Sequence, residues 1–288
     1  MPLIIDTHAH LDDSAYEHDL DEVVKRALIE DIWIITVGHD LVSSTRAVEI
    51  AERYPAGVFA AVGLHPLHVS EDKLDPHKLV DLTAYKKLAQ SKKVVAIGEC
   101  GLDFKNLPEH HNLTDREYFL ADLIRQNQRG VFRLLMSLAE ELRLPLLVHA
   151  RDSEDEVIDL MNAWNNSSTG FDVRGIIHSF SGTFEQAKSF WNLGFLTSMT
   201  GHITHGSWAD DVLRRAPLSR LAIESDCPYL TPRPWHLRRN EPMYTLSVAR
   251  AIAGIKNEKF EDTAREITAN VLKVLRLENK TTVVKVSV

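Results

Sequence analysis

Short apolar, β-branched runs alternate with longer amphipathic stretches along most of the chain, the rhythm of βα units feeding a mostly parallel sheet. Eight runs are predicted as strands, at residues 3–8, 32–37, 58–63, 94–99, 146–149, 175–178, 194–198 and 221–225. Helical periodicity lies between them, for example at 20–29, 79–89 and 131–142, and a Pro-rich loop after the last strand leads to two more predicted helices at 242–255 and 259–275. Eight such units favour a closed (β/α)₈ barrel over an open sheet. Two stretches break the rhythm. Residues 105–130 form a long, polar, His-containing connection, read as an inserted helix or lid, and the tail at 277–288 alternates only weakly, as an edge strand or disorder would. There is no repeat at solenoid spacing and no low-complexity tract. The expected organisation is a single α/β barrel domain over residues 1–276 with a C-terminal tail.

Length and charge narrow the choice. A chain of 288 residues suits one barrel, since such barrels commonly run to about 250 residues. The net charge of −8 repels polyanions as a whole and argues against coating DNA or a membrane by bulk charge, though it leaves room for a locally basic cleft. Two cysteines, Cys100 and Cys227, give no disulfide framework, so a reducing cytoplasmic compartment is the default expectation. The apolar run at residues 3–5 is too short for a secretory signal, and no stretch is long enough to span a bilayer.

The chemistry sits at the ends of the predicted strands. His8 and His10 close the first, Glu99 the fourth, His149 the fifth and His178 the sixth, and Asp226 follows the eighth. In a parallel barrel these ends share one face, so residues far apart in sequence meet in one pocket. Residues i and i+2 of a strand point the same way; Asp6 is therefore expected one layer below His8, accepting the outer N–H of a ligand imidazole, and Glu224 below Asp226 in a similar supporting role. Each residue alone has an ordinary explanation as a hydrogen-bonded core or rim group, but the coincidence of five strand ends does not. Six ligands exceed one tetrahedral zinc with an open position. They suit two divalent cations about 3.5–4 Å apart, and a His/carboxylate mixture accepts Zn²⁺, Mn²⁺, Mg²⁺ or Co²⁺.

The segments Asp6-Thr7-His8-Ala9-His10, Gly63-Leu64-His65-Pro66, Gly98-Glu99-Cys100-Gly101-Leu102-Asp103, Val148-His149-Ala150-Arg151-Asp152, His178-Ser179-Phe180, Glu224-Ser225-Asp226-Cys227-Pro228 and Arg239-Asn240-Glu241-Pro242 together resemble the TatD family of metal-dependent hydrolases. The resemblance implies a TIM barrel of the amidohydrolase superfamily with a binuclear site: His8, His10 and Asp226 on one metal, His149 and His178 on the other, and Glu99 bridging. Characterised members of that family are metal-dependent deoxyribonucleases, often 3′→5′ exonucleases. Two departures bear on substrate choice. Leu135 stands where the helix before the fifth strand usually carries a glutamine, and the connection after Asp103 is longer than usual, with Glu109, His110 and His111.

The function expected is phosphodiester hydrolysis of DNA or a related substrate, with Asp226 and Glu99 catalytic as well as ligating, and His65 contacting phosphate or protonating the leaving group. Arg151 is a candidate phosphate contact or a partner of Asp152 or Asp155. Tyr229, Arg233, Trp235 and Arg239, in the loop after the eighth strand, mix cations with aromatics as a strand-binding surface would. His202 and His205 share that face without an assigned role. Cys100 and Cys227, beside ligands, are expected to be small packing residues. The alternatives are amide or ester hydrolysis on the same site, and a non-catalytic metal-loaded scaffold in protein quality control.

Overall fold

The computed structural model describes residues 1–69, 75–107, 114–167 and 173–278. Its eight strands form one sheet in chain order: β1 (Ile4–Ala9), β2 (Ile32–Val37), β3 (Val58–Val62), β4 (Val94–Asp103), β5 (Leu146–Arg151), β6 (Gly175–Ile177), β7 (Phe195–Met199) and β8 (Leu221–Ile223). Every neighbouring pair is parallel. The seam between first and last strand is closed just beyond β8. There the Asp226 N–H donates to the His8 carbonyl at 2.8 Å and the His10 N–H to the Cys227 carbonyl at 2.9 Å, around an Ala9–Cys227 bridge. The chain is a TIM (β/α)₈ barrel, and its closing seam runs through the candidate ligands.

Helices α1 (Leu20–Ile29), α2 (Leu41–Arg53), α3 (Leu82–Leu88), α4 (Asp115–Leu142), α5 (Glu154–Ser167), α6 (Phe184–Asn192), α7 (Asp210–Arg215), α8 (Thr245–Lys256) and α9 (Phe260–Val274) surround the strands. Strand alternation sorts the apolar side chains into two cores. Ile4, Ile32, Val58 and Leu221 meet the helices, whereas Ile5, Ile35, Phe59, Leu147, Ile176 and Leu196 fill the barrel interior. Val271, Leu272, Leu275 and Leu277 belong to that interior cluster, and Thr268 donates to the Leu3 carbonyl at 2.9 Å. The end of α9 therefore plugs the barrel where its strands begin, and the opposite end is left for chemistry.

Of residues 105–130, read as an inserted helix or lid, those from Asp115 onward are helical, as the first half of one 28-residue helix. Its start is set by a reciprocal capping box between Thr114 and Glu117, and nothing stops it, since residues 115–142 hold one glycine and no proline. Glu109, His110 and His111 lie outside the described residues, as does the tail beyond Glu278. No described helix is long and apolar enough to cross a membrane.

Close strand approach leaves one clear test of the packing. A Cβ on Gly175 would stand 1.9 Å from the Leu146 carbonyl oxygen of β5, and that backbone cannot retreat without breaking the ladder. Gly175→Ala is expected to cost about 1–3 kcal/mol in urea unfolding. An unchanged midpoint would contradict the geometry.

Candidate metal centre

Two strands, β1 and β4, carry irregularities that decide where their side chains point. The register of β1 against β2 shifts between Asp6 and Ala9, and that of β4 shifts against β3 and again against β5 between Ile97 and Cys100. Bulges of this kind re-aim side chains. Thr7 faces inward, bonded to Ser198 and Glu224, and the shift lets His8 face inward as well. The uninterrupted alternation expected for β1 therefore fails. Asp6 stays on the outer layer with Ile4 and, instead of reaching a ligand imidazole, accepts the Ser225 N–H at 2.8 Å and hydroxyl at 2.6 Å. Asp226 takes its inward position with φ +53°, and the peptide before Glu99 is cis. A positive φ is uncommon for a non-glycine residue.

Glu99 occupies the middle. Its carboxylate lies 2.9 Å from His149 Nδ1, 3.3 Å from His8 Nε2, 3.4 Å from His65 Nε2 and 3.8 Å from His178 Nε2. Asp226 stands 3.5 Å from His10 Nε2 and 3.9 Å from His178 Nε2. Three sets bring donor atoms within 4.8 Å of one another: His8, His178 and Asp226; His8, His10 and Glu99; and His65, Glu99 and His149. All six expected ligands thus converge, and His65 joins them. Seven of the 14 histidines follow one another round the mouth. Ring centres run from His178 through His8, His10, His39, His68 and His65 to His149 at separations of 3.7 to 6.3 Å, and back to His178 at 6.1 Å.

The outer nitrogens distinguish these rings. His10 Nδ1 is 3.0 Å from the Val37 carbonyl, His149 Nε2 is 2.9 Å from Asp103, and His178 Nδ1 is 2.9 Å from Glu224. The Val37 carbonyl and Asp103 accept, so the outer nitrogens of the neutral His10 and His149 rings carry the proton and the inner ones present lone pairs to the centre. His65 is the reverse: its Nδ1 accepts the Leu67 N–H at 3.0 Å, so its neutral ring carries the proton on Nε2, facing Glu99. The two nitrogens of His8 are buried without a hydrogen-bond partner, a costly state for an imidazole that a cation would relieve. This donor chemistry fits divalent metal.

Burial alone would raise the carboxyl of Glu99, but His65, His8 and His178 hold it well below its usual range. Asp226 is lowered too, with His178 and His10 outweighing its burial. Against the same penalty of burial, Glu224, Glu99 and Asp226 raise His178 to about 10, and Asp226 chiefly raises His10 to about 9. His8 is lowered by burial and by the neighbouring His178.

Supporting residues went partly unread. Asp103 orients His149 because β4 runs on past Glu99. Gln128 of α4 accepts the Asp103 N–H at 3.0 Å and donates to the Pro66 carbonyl at 3.2 Å, tying the His65 turn to β4. Leu135 is buried in the outer core. Glu224 takes up the supporting position expected of it. His39 ends β2 by the same strand-end pattern as the ligands, whereas His68 lies on a turn that gives no such signal.

The expected substrate residues divide. Tyr229 is 55% exposed with its ring centre 6.2 Å from that of His10. Arg151 is exposed and forms no ion pair among the described residues; Asp152 pairs with Lys105 and Asp155 bonds Gln186. Arg233 is exposed on the loop. Trp235 stacks on Tyr244 at 5.1 Å with Arg238 5.3 Å away, so its ring packs the loop itself. Arg239 is committed elsewhere, to Asp19 at 2.6 Å, Glu241 at 3.3 Å and the Tyr16 ring at 4.5 Å. Its acid partner lies over two hundred residues upstream, which sequence reading cannot see. Cys100 and Cys227 are free and buried in the outer core.

The family model described as TatD-related DNase matches residues 5–276. The uncharacterized metal-dependent hydrolase YabD of Bacillus subtilis is 36% identical over 278 residues, covering 96% of this chain and 100% of that protein. The 3′-5′ ssDNA/RNA exonuclease TatD of Erwinia billingiae is 30% identical over 282 residues, covering 95% and 99%. The crystal structure of YJJV, a TatD homolog from Escherichia coli K12, superposes with a TM-score of 0.77 at 25% identity over 94% of this chain and 97% of that one.

Without metal, the centre makes stability pH-dependent. His10 and His178 contribute stability that is full below the unfolded imidazole value and lost as pH climbs through about 9 and about 10. Asp6, raised to about 8 chiefly by burial, loses stability in the same direction as its unfolded form ionises first. In chelator, the melting temperature is expected to fall between about pH 6.5 and 9.5 by at least about 3 °C, the shift that about 1 kcal/mol gives a chain of this size. A flat profile would contradict the coupling.

Proposed function

The chain belongs to the TatD-related DNase family and is a metal-dependent hydrolase; from that premise we propose that it is a nuclease, cleaving phosphodiester bonds of single-stranded DNA or RNA at a pair of divalent cations. The observation that carries this reading is the gathering of four imidazoles and the carboxylates of Glu99 and Asp226 around one point at the barrel mouth. His8, His10 and Asp226 would hold one cation, His149 and His178 the other, and Glu99 would be shared. When bound, Zn²⁺, Mn²⁺, Mg²⁺ or Co²⁺ supplies Lewis acidity toward a phosphoryl oxygen and toward the attacking water.

The chain's own groups do the rest. Asp103, Glu224 and the Val37 carbonyl fix the ligand rings. Asp226, at the open side of the centre, accepts the proton of the attacking water. His65 Nε2–H donates to phosphate or to the leaving oxygen, its ring held by the Leu67 N–H and its turn by Gln128. Tyr229 offers a ring beside His10 for the terminal base, and Arg151 and Arg233 offer cations for neighbouring phosphates. These unpaired cations favour a phosphodiester over an acylated amine. A partly exposed mouth favours catalysis over a scaffold metal, which would be enclosed. The named activity of the Erwinia billingiae relative supports a 3′→5′ direction, and the two free cysteines support a cytoplasmic setting.

His149→Ala and Glu99→Gln are expected to lose metal and to cut hydrolysis of a chromogenic phosphodiester by about 10³-fold or more, with circular dichroism unchanged. His65→Ala should keep its full metal content yet lose about 10²-fold in kcat, the range of one positioned acid. Loss of metal from His65→Ala, or full activity in either ligand variant, would count against these roles. Cleavage of acylated amines in preference to end-labelled strands would replace the nuclease reading altogether.

A further inference from the structure

The loops after β7 and β8 form one surface that extends outward from Tyr229 beyond the metal centre. The 3₁₀ turn Gly201–His205 is pressed against the β8 loop, since a Cβ on Gly201 would meet the Leu230 carbonyl oxygen at 2.2 Å. Across that contact Thr204 Oγ1 accepts the Arg233 N–H at 2.8 Å, and His205 Nε2 bonds the Thr231 carbonyl at 2.9 Å. Trp208 stands on this surface. Its Nε1–H is directed to the His202 carbonyl at 3.4 Å and its ring lies 5.2 Å from His202, yet the residue is 42% exposed. The polar edge of the indole is spent within the protein while much of its apolar surface is left to solvent. On the β8 loop that the Gly201–His205 turn contacts stands Tyr229, beside His10. Arg233, on the same β8 loop as Tyr229, is exposed and has no acid partner among the described residues.

We propose that Trp208, with Arg233, is a base-stacking position for a nucleotide of a bound single strand, remote from the phosphodiester held at the metal centre; this rests on the nuclease reading above. A half-exposed indole and, on the adjoining loop that Thr204 binds through the Arg233 N–H, an exposed guanidinium match a base and a nearby phosphate. Stacking of this kind is tolerant of sequence. It extends the site outward from Tyr229, so strands long enough to reach it gain affinity that short ones do not. Trp235, by contrast, already has Tyr244 against its ring.

The test compares a thymidine dinucleotide with an oligothymidylate about ten nucleotides long, the span of a typical strand-binding groove. Binding is read on the metal-free full chain by indole fluorescence and anisotropy, and turnover on the metal-loaded enzyme. Trp208→Ala should weaken binding and raise KM for the longer strand about tenfold, leave the dinucleotide unchanged and leave kcat near wild type. Trp208→Phe should recover most of the loss, and Arg233→Gln should reduce the salt dependence for the longer strand only. Equal loss on both lengths, no loss on either, or no recovery by phenylalanine would overturn the stacking role. If the wild type cleaves the dinucleotide and Trp208→Ala handles the longer strand normally, this inference fails while the nuclease reading stands. If the wild type cleaves no phosphodiester, the reading fails first and the inference with it.

Discussion

Glu99 is a buried carboxylate at the mouth of the barrel, surrounded by imidazoles that hold it well below its usual range. Burying such a group costs several kcal/mol unless charge of opposite sign meets it. Protonated rings could supply that charge, but His8, His65, His149 and His178 crowd one another, and each added imidazolium raises the cost of the next. His8 already shows the conflict, lowered by burial and by His178. Bound divalent metal would resolve it, by compensating Glu99 and Asp226 while leaving the rings neutral. Much of the local architecture serves to present this one acid to this ring of bases.

The barrel supplies the means. Its interior core fills the lower half and α9 seals the end, so the upper half can hold polar groups without water entering from below. Closure of the sheet passes through His8, His10, Asp226 and Cys227, which couples barrel integrity to ligand placement. Beyond β8, Asn240 donates to the Ser225 carbonyl at 2.7 Å, and Arg26 grips Glu241 through two bonds of 2.9 Å. These contacts fasten the loop carrying Asp226 to α1. The Arg239-Asn240-Glu241 segment is thus a clamp on the site more than a surface for substrate.

What could be read in advance follows from how local each signal is. Strand order and the six converging groups are legible because every candidate ligand lies at or just beyond the end of an apolar run, a pattern contained within a few residues. His65 and Glu224 were legible for the same reason. Asp6 was misjudged because the register shift before Ala9 arises from pairing with β2, which no window of β1 contains. Asp103 and Gln128 depend on where β4 stops and where α4 starts, and element ends are set by caps and partners beyond the periodic stretch. Arg239 and Trp235 looked available because their partners, Asp19 and Tyr244, become neighbours only after folding.

The most direct test of the account is an anomalous diffraction map from crystals soaked with zinc or manganese. It should hold two peaks that share Glu99, one contacting His8, His10 and Asp226 and the other contacting His149 and His178, with the His65 Nε2 touching neither. A map with no density at Glu99, or with metal bound through His65 instead, would contradict the central claim.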